Sequence, residues 1–249
     1  MANPFSRTEL IYGSEAMTKL KNSRVAVFGI GGVGGYVVEA LARTGIGTLD
    51  LIDDDVVNYS NLNRQIYALH STLGRAKVDV AEERCKDINP KIVINKHKVF
   101  YLPETKDQFD FSQYDYVVDC IDTVSGKIQL IVQAKEAGVP IISSMGAGNK
   151  TDPSKFKVAD IYETSIDPLA RVMRHELRKR NISDLKVVFS TEEPKQINMP
   201  ETSTEESEDH PNRPDGESSF KKQTPGSNAF VPSSAGLLIA SEIIRDIVG

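Results

Sequence analysis

Between residues 24 and 144, short apolar runs alternate with longer stretches whose apolar positions recur every three or four residues. Arg24–Gly29 (RVAVFG) is an apolar run closed by glycine, the pattern of a strand buried on both faces. Val33–Thr44 follows with Val33, Val37, Val38 and Leu41 at helical spacing. Thr48–Asp53 (TLDLID) predicts a second strand ending in acids. Lys77–Ile88 predicts a second helix with Val78, Ala81 and Cys85 on one side, and Ile92–Val99 a third strand. Tyr116–Ile121 (YVVDCI), a helix over about Lys127–Ala137, and a fifth strand at Pro140–Ser144 complete the series. Strands alternating with helices predict an α/β protein: a doubly wound, mostly parallel sheet with right-handed crossovers.

From Gly146 the rhythm changes. Lys155–Tyr162 predicts an antiparallel strand, Asp167-Pro168 starts a helix that runs to about Arg180, and Lys186–Ser190 (KVVFS) predicts another strand. Phe230–Val248 predicts a strand end and then a packed helix. Pro194–Thr224 is rich in Glu, Ser, Pro, Thr and Lys and has too few apolar residues to offset its ordering entropy, so a mobile loop is expected at about 194–224. No internal repeat interrupts the chain. The expected organisation is one domain over 1–249: a Rossmann-like nucleotide-binding half at 1–145, then a half at 146–249 for substrate and dimer contacts that adds antiparallel strands and helices.

Composition changes this picture only at its margins. The formal net charge of −5 means that any nucleic-acid surface must be local. Two cysteines, Cys85 and Cys120, suit a reduced cytoplasmic compartment and exclude a zinc site built from Cys-x-x-Cys pairs. The N-terminal MANPFSRTEL does not read as a signal peptide, and no apolar run reaches the roughly 18–20 residues of a membrane span.

The chemistry begins at Gly29-Ile30-Gly31-Gly32-Val33-Gly34, which leaves a strand and opens a helix. Glycines let the backbone approach phosphates, and the helix N-terminus supplies free amides and a positive dipole end. Asp53 closes the next strand, where a carboxylate can accept ribose hydroxyls. This loop alone fits a dinucleotide dehydrogenase as well as an ATP enzyme. The next segment tips the balance. Asp53-Asp54-Asp55 runs into Ser60-Asn61-Leu62-Asn63-Arg64-Gln65, Lys77 opens a helix, and Asp119-Cys120-Ile121-Asp122 closes a strand. Arg64 and Lys77 are cations for a triphosphate, and Asp122 lies where such a sheet binds ligands and could hold Mg2+. Plainer readings stand beside these: Asp54 and Asp55 as loop caps, Asp119 as a strand-end stabiliser, Lys77 as an exposed helix lysine and Arg7 as a surface charge.

Gly-x-Gly-Gly-x-Gly, Asn-x-x-Arg-Gln, the lysine and the Asp-x-x-Asp strand end occur in the order found in ubiquitin-activating-enzyme-like adenylyltransferases, which the chain resembles over about Phe5–Ser144. The resemblance implies that Gly29, Gly31, Gly32, Val33 and Gly34 cradle ATP, with Asp53 on the ribose. It implies that Asp55, Asn61, Arg64, Gln65 and Lys77 complete the nucleotide site and that Asp122 positions the metal. It also makes Arg7, Arg64, Lys77 and Asp122 the catalytic set, with Arg7 reaching into the partner subunit of a homodimer.

Members that charge sulfur-carrier proteins often carry paired Cys-x-x-Cys, and thioester-forming members need a cysteine on a mobile loop. This chain has neither. Its second half, with Ser143-Ser144-Met145-Gly146-Ala147-Gly148-Asn149, Val158-Ala159-Asp160-Ile161, Asp167-Pro168-Leu169 and Val188-Phe189-Ser190-Thr191-Glu192, resembles the tRNA threonylcarbamoyladenosine dehydratase branch. That resemblance implies ATP-dependent cyclisation of the modified adenosine beside the anticodon. The substrate's own carbamoyl group would close the ring, so no enzyme thiol is needed. The implied cofactors are ATP and Mg2+, with K+ or Na+ an open third. The implied partners are tRNA and a second copy of the chain, and a sulfur-transfer protein stays open as another. On the helix after Asp167, Leu169, Met173 and Leu177 fall on one face and Arg171, Arg174 and Arg178 nearly opposite, a candidate tRNA surface or merely a solvated face. Activation of a sulfur-carrier protein's C-terminus is the alternative function. A dehydrogenase and a non-catalytic nucleotide-binding scaffold are the remaining readings.

Overall fold

Seven strands form one sheet in the computed structural model, which describes residues 3–196 and 225–249. In chain order they are β1 (Arg24–Phe28), β2 (Thr48–Ile52), β3 (Val93–His97), β4 (Tyr116–Asp119), β5 (Ile141–Ser144), β6 (Phe156–Asp160) and β7 (Lys186–Ser190), and across the sheet they run β3-β2-β1-β4-β5-β7-β6. All pairings are parallel except that of β6 with β7, where Val158 faces Val188. The chain winds outward from β1 to β3, then returns to β4 on the other side of β1. The winding direction therefore reverses between β1 and β4, and it is outside the carboxyl ends at such a switch point that open α/β sheets bind ligands.

Pleating divides the core. Val25 and Val27 of β1 join one apolar cluster, with Leu20, Leu41, Leu49 and Ile239. Ala26 and Phe28 join the other, with Phe109, Phe111, Leu130, Met173 and Leu177. The first layer is covered by α1 (Ser6–Asn22), α2 (Gly34–Thr44), α3 (Lys77–Ile88) and α6 (Val231–Val248), the second by α4 (Val124–Ala137) and α5 (Pro168–Arg178).

The sequence expectations differ from this in a few places. The hydrophobic pattern does not predict α1, whose period is interrupted at Gly13, a non-helical residue with φ +83°. Helix α4 starts at Val124, earlier than Lys127, because Gly126 lets its first turn press against Tyr101 and Ile121. No strand end precedes α6: Asn228 accepts from the Phe230 and Val231 amides and starts the helix directly. Strand β4 stops at Asp119, so Cys120 lies just beyond it. Most of the expected 194–224 loop falls outside the described residues.

One buried charge ties three strands together. Asp50 of β2 has no exposed surface. It accepts from Arg24 Nε and Nη2 at 2.7 and 2.8 Å, from Asn95 Nδ2 at 3.1 Å, and meets His97 Nε2 at 3.2 Å. Burial alone would raise its pKa, but the hydrogen bonds from Arg24, His97 and Asn95 outweigh that and hold it at about 2. A depressed folded-state pKa stabilises the protein above the unfolded carboxyl's value and loses that stability as pH falls toward about 2. The shift is worth roughly 2 kcal/mol. Denaturant unfolding at pH 7, 4, 3 and 2 should show wild type losing most of this increment between pH 4 and pH 2. Asp50→Asn should be about 3 kcal/mol weaker at pH 7 but flatter with pH. Parallel acid profiles for the two proteins would refute the assignment.

Candidate active site

The turn after β1 is shaped by two glycines. Gly29 has φ +81°, and a Cβ there would sit 2.8 Å from the Cys120 carbonyl oxygen. A Cβ on Gly34 would lie 1.8 Å from the Gly29 carbonyl oxygen, so α2 can start on top of β1 only because this position has no side chain. The Ile30 amide donates to Asp53 Oδ2 at 2.8 Å, and Gly35 N–H to the Gly31 carbonyl at 3.0 Å. Among the described residues, no acceptor takes the amides of Gly31, Gly32, Val33 or Gly34. Four unspent donors at a helix N-terminus make an anion cradle.

Beside it lies a carboxylate–lysine cluster. Asp53 spends both oxygens on backbone amides, Oδ2 on Ile30 and Oδ1 on Asp55 at 2.9 Å. Burial pushes its carboxyl above the ordinary value, with the Lys77 ammonium pulling the other way. Lys77, first residue of α3, is not an exposed helix lysine: its side chain is 5% exposed, and Nζ sits 2.5 Å from Asp55 Oδ2 and 3.9 Å from Asp53 Oδ1. Asp53, Asp54 and Asp55 bring one oxygen each within 4.8 Å of one another, with the lysine's ammonium already beside them.

The polar segment 58–65 faces the glycine loop. Arg64 lays its Cγ 3.7 Å from where a Cβ on Gly32 would stand and donates Nη1 to the Ser60 carbonyl and to Asn63 Oδ1, at 2.8 and 2.9 Å. Gln65 is buried, with Nε2 3.7 Å from the corresponding point on Gly31. Asn61 is buried too, but its Oδ1 accepts the Asn58 amide at 3.1 Å and its Nδ2 donates to Ser60 Oγ at 3.4 Å, so it shapes the turn and has one Nδ2 hydrogen left for a ligand. Asp122 follows β4 and is exposed, engaged among the described residues only by Thr123 Oγ1 at 3.5 Å. Asp119 is wholly buried against Lys127 and Ser143, which makes it the strand-end stabiliser.

Other expected residues stand apart. Arg7 is exposed on α1 and makes no hydrogen bond or ion pair among the described residues. On α5, Ala170, Met173 and Leu177 are buried and Leu169 half-buried. Arg171 is exposed, and Arg178 stacks over Tyr162 at 5.0 Å. Arg174 departs from the expected outward face: it is half-buried and donates to the Thr164 hydroxyl and, at 3.1 Å, to the Thr164 carbonyl. Burial pushes both Cys85 and Cys120 up to about 12, so neither thiol is a ready nucleophile.

Periodicity does not reveal three contributors. Helix α6 crosses the phosphate loop, its Pro232 Cβ 3.3 Å from the Cβ point on Gly32. Asn63 Nδ2 donates to the Ser227 carbonyl, fastening the Arg64 segment to the chain before α6. Lys127 is buried, with its Nζ on Asp119 and on the Ile121 carbonyl. Its only sequence signal is a lysine between Gly126 and Ile128 on the apolar side of α4.

Fold and site together define the nucleotide-binding class of doubly wound α/β protein, with the glycine turn, Asp53 and Lys77 side by side at the switch point of the sheet. The chain belongs to the ThiF family, whose profile matches residues 5–249. It is 44% identical over 249 residues to the tRNA threonylcarbamoyladenosine dehydratase of Bacillus subtilis, covering 100% of this chain and 96% of that one. Among solved structures it is similar to the E. coli tRNA N6-threonylcarbamoyladenosine dehydratase TcdA in complex with ATP: TM-score 0.83 and 32% identity, covering 98% of this chain and 93% of that one. The same E. coli enzyme in complex with AMP gives a TM-score of 0.82 at the same identity and coverage.

Proposed function

We propose that this chain is an ATP-dependent tRNA threonylcarbamoyladenosine dehydratase. The observation that carries the reading is the likeness, end to end, to the B. subtilis enzyme of that name. The four unspent loop amides flanked by Arg64 and Lys77 supply the anion site that such an ATP enzyme requires. The substrate's threonyl carboxylate attacks the α-phosphorus of ATP and pyrophosphate leaves, giving a mixed anhydride with AMP. The carbamoyl group of the same nucleoside then attacks the acyl carbon, AMP leaves, and the ring closes with net loss of one water. Intramolecular attack has a high effective molarity, so two inert thiols are no obstacle. Adenylation of a sulfur-carrier protein's C-terminus would need no enzyme thiol either; the likeness over the full chain favours the tRNA reading over that alternative. Incubation with labelled ATP and substrate tRNA should release AMP and pyrophosphate, with a nucleoside lighter by one water. ADP and phosphate as products would replace α-phosphate activation with γ-transfer, and an unchanged nucleoside would sink the reading.

Arg64 and Lys77 act on the phosphates in this scheme, and Asp122, exposed and nearly uncommitted, would hold Mg2+. Bound there, the metal supplies charge neutralisation at the phosphates. Loss of AMP release with EDTA tests this, and replacing K+ and Na+ by tetramethylammonium tests a monovalent requirement. A homodimer fits the outer face of α1, where Leu10 and Ile11 are 87% and 78% exposed close to Arg7. Sedimentation of Leu10→Glu/Ile11→Glu as a dimer would count against that interface.

The tRNA contact is placed on α5. Arg171→Glu/Arg178→Glu should weaken tRNA binding roughly tenfold and lower the salt slope by about 1.4, at about 0.7 per lost phosphate contact. Filter binding over a salt series reads both. An unchanged slope would move the tRNA surface elsewhere.

A further inference from the structure

The most deeply buried charges beside the site belong to a cluster that contacts no nucleotide group named above. Lys127 and Asp119 have 0% side-chain exposure. Lys127 Nζ donates to Asp119 Oδ1 at 2.9 Å and to the Ile121 carbonyl at 2.9 Å. Asp119 Oδ1 also accepts the Ile121 amide at 3.3 Å, and its Oδ2 accepts from Ser143 Oγ of β5 at 2.5 Å. Residue 121 is thus gripped at both ends of its backbone, its N–H by the carboxylate and its C=O by the ammonium. That carbonyl belongs to the peptide leading into Asp122.

Stability alone does not call for this arrangement. A buried lysine loses its hydration, and a buried ion pair is often no better than apolar residues of similar volume. Position 127 lies among Ile128, Leu130 and Ile131 on the buried side of α4, where an aliphatic residue would pack without that penalty. What the ammonium adds is direction. It closes the turn 119–123 from inside, together with the Lys127 N–H, which donates to the Thr123 carbonyl at 2.9 Å. The Cys120 carbonyl in that turn is the surface against which Gly29 packs. One grip therefore sets both the backbone of Asp122 and the back wall of the phosphate loop.

We infer that Lys127 is a positioning residue for the ATP-dependent step: through the Ile121 carbonyl it fixes the turn that carries Asp122 against the glycine loop. The inference rests on the function proposed above. Removing the ammonium loosens the reacting geometry more than it loosens ATP binding, because the four loop amides remain.

The test pairs two variants. Lys127→Met leaves Asp119 buried without its counter-charge and is expected to melt lower. Asp119→Asn/Lys127→Met removes both charges and is expected to recover most of that loss, while the Ile121 carbonyl still lacks its donor. In the double variant kcat for AMP release should remain about 100-fold down, the scale of a reacting group displaced by about 1 Å. Its KM for ATP should stay within about threefold of wild type. Hydrogen exchange of the 121 and 127 amides, which donate to Asp119 and to the Thr123 carbonyl, should be about tenfold faster than in wild type. A double variant with kcat within about threefold of wild type and unchanged exchange at 121 and 127 would overturn the inference, leaving Lys127 as a mere counter-ion. Hydrogen exchange needs no turnover, so a wild-type protein that forms no AMP would defeat the functional reading while the exchange result still decided the role of Lys127.

Discussion

Lys77→Met is expected to lower kcat/KM for AMP formation by about 10^3-fold, the scale at which enzymes lose rate when a preorganised group facing developing charge is removed. The side chain is 5% exposed and lies between Asp55 and Asp53, so its ammonium is already desolvated and held in place. A charge in that condition acts on phosphates more strongly than one in water and needs no reorganisation. Methionine keeps the volume and removes the charge, leaving two carboxylates facing each other. Asp53, already raised by burial, should rise further once the opposing Lys77 charge is gone. Lys77→Met/Asp55→Asn separates charge loss from misfolding: it should melt near wild type and remain inactive. AMP release with substrate tRNA, read beside thermal melting, checks both. Turnover within tenfold of wild type in the double variant would remove Lys77 from the chemistry.

Gly34→Ala should disrupt folding and nucleotide binding together. The new methyl would lie 1.8 Å from the Gly29 carbonyl oxygen, a backbone atom at the end of β1 that cannot swing aside. Either α2 lifts from the sheet or the turn at Gly29 opens, and the latter presses it into the Cys120 carbonyl. Overpacking of this kind costs about 3 kcal/mol or more. In a chain of 249 residues that is roughly a 6–12 °C drop in melting temperature. ATP affinity, by calorimetry, should fall at least about 100-fold, because the unspent amides are carried by the displaced segment. Gly31→Ala is the control. Among the described residues its methyl would meet only Gln65 Nε2, at 3.7 Å, so the melting temperature should stay within about 2 °C of wild type. Equal losses in both variants would mean that the loop tolerates no side chain for reasons other than this collision.

Much of the site can be read before folding is considered. Strand and helix periods place the glycine turn, Asp53, Lys77 and Asp122 at the ends of elements, and the structure brings the glycine turn, Asp53 and Lys77 together at one end of the sheet. What the pattern misjudges has local causes. Helix α1 is broken by Gly13, and α4 gains a turn because Gly126 fits beneath Tyr101 and Ile121. Arg174 points outward on a helical projection but turns to Thr164, because a long side chain reaches past its own face to an acceptor that the projection does not contain.

The order of apolar runs, the glycine spacing and the acids at strand ends set the architecture and the kind of ligand, since periodicity and backbone freedom are properties of neighbouring residues. The partners of each charge had to wait for the folded chain. Lys77 meets Asp55 across 22 residues and Asn63 meets Ser227 across 164. Whether a lysine is a solvated cation, a phosphate ligand or, at 127, an internal clamp depends on its burial and on acceptors that arrive from other elements. Hydrophobic patterning leaves those contacts unspecified, because it records which face of an element is buried and not what lies against it.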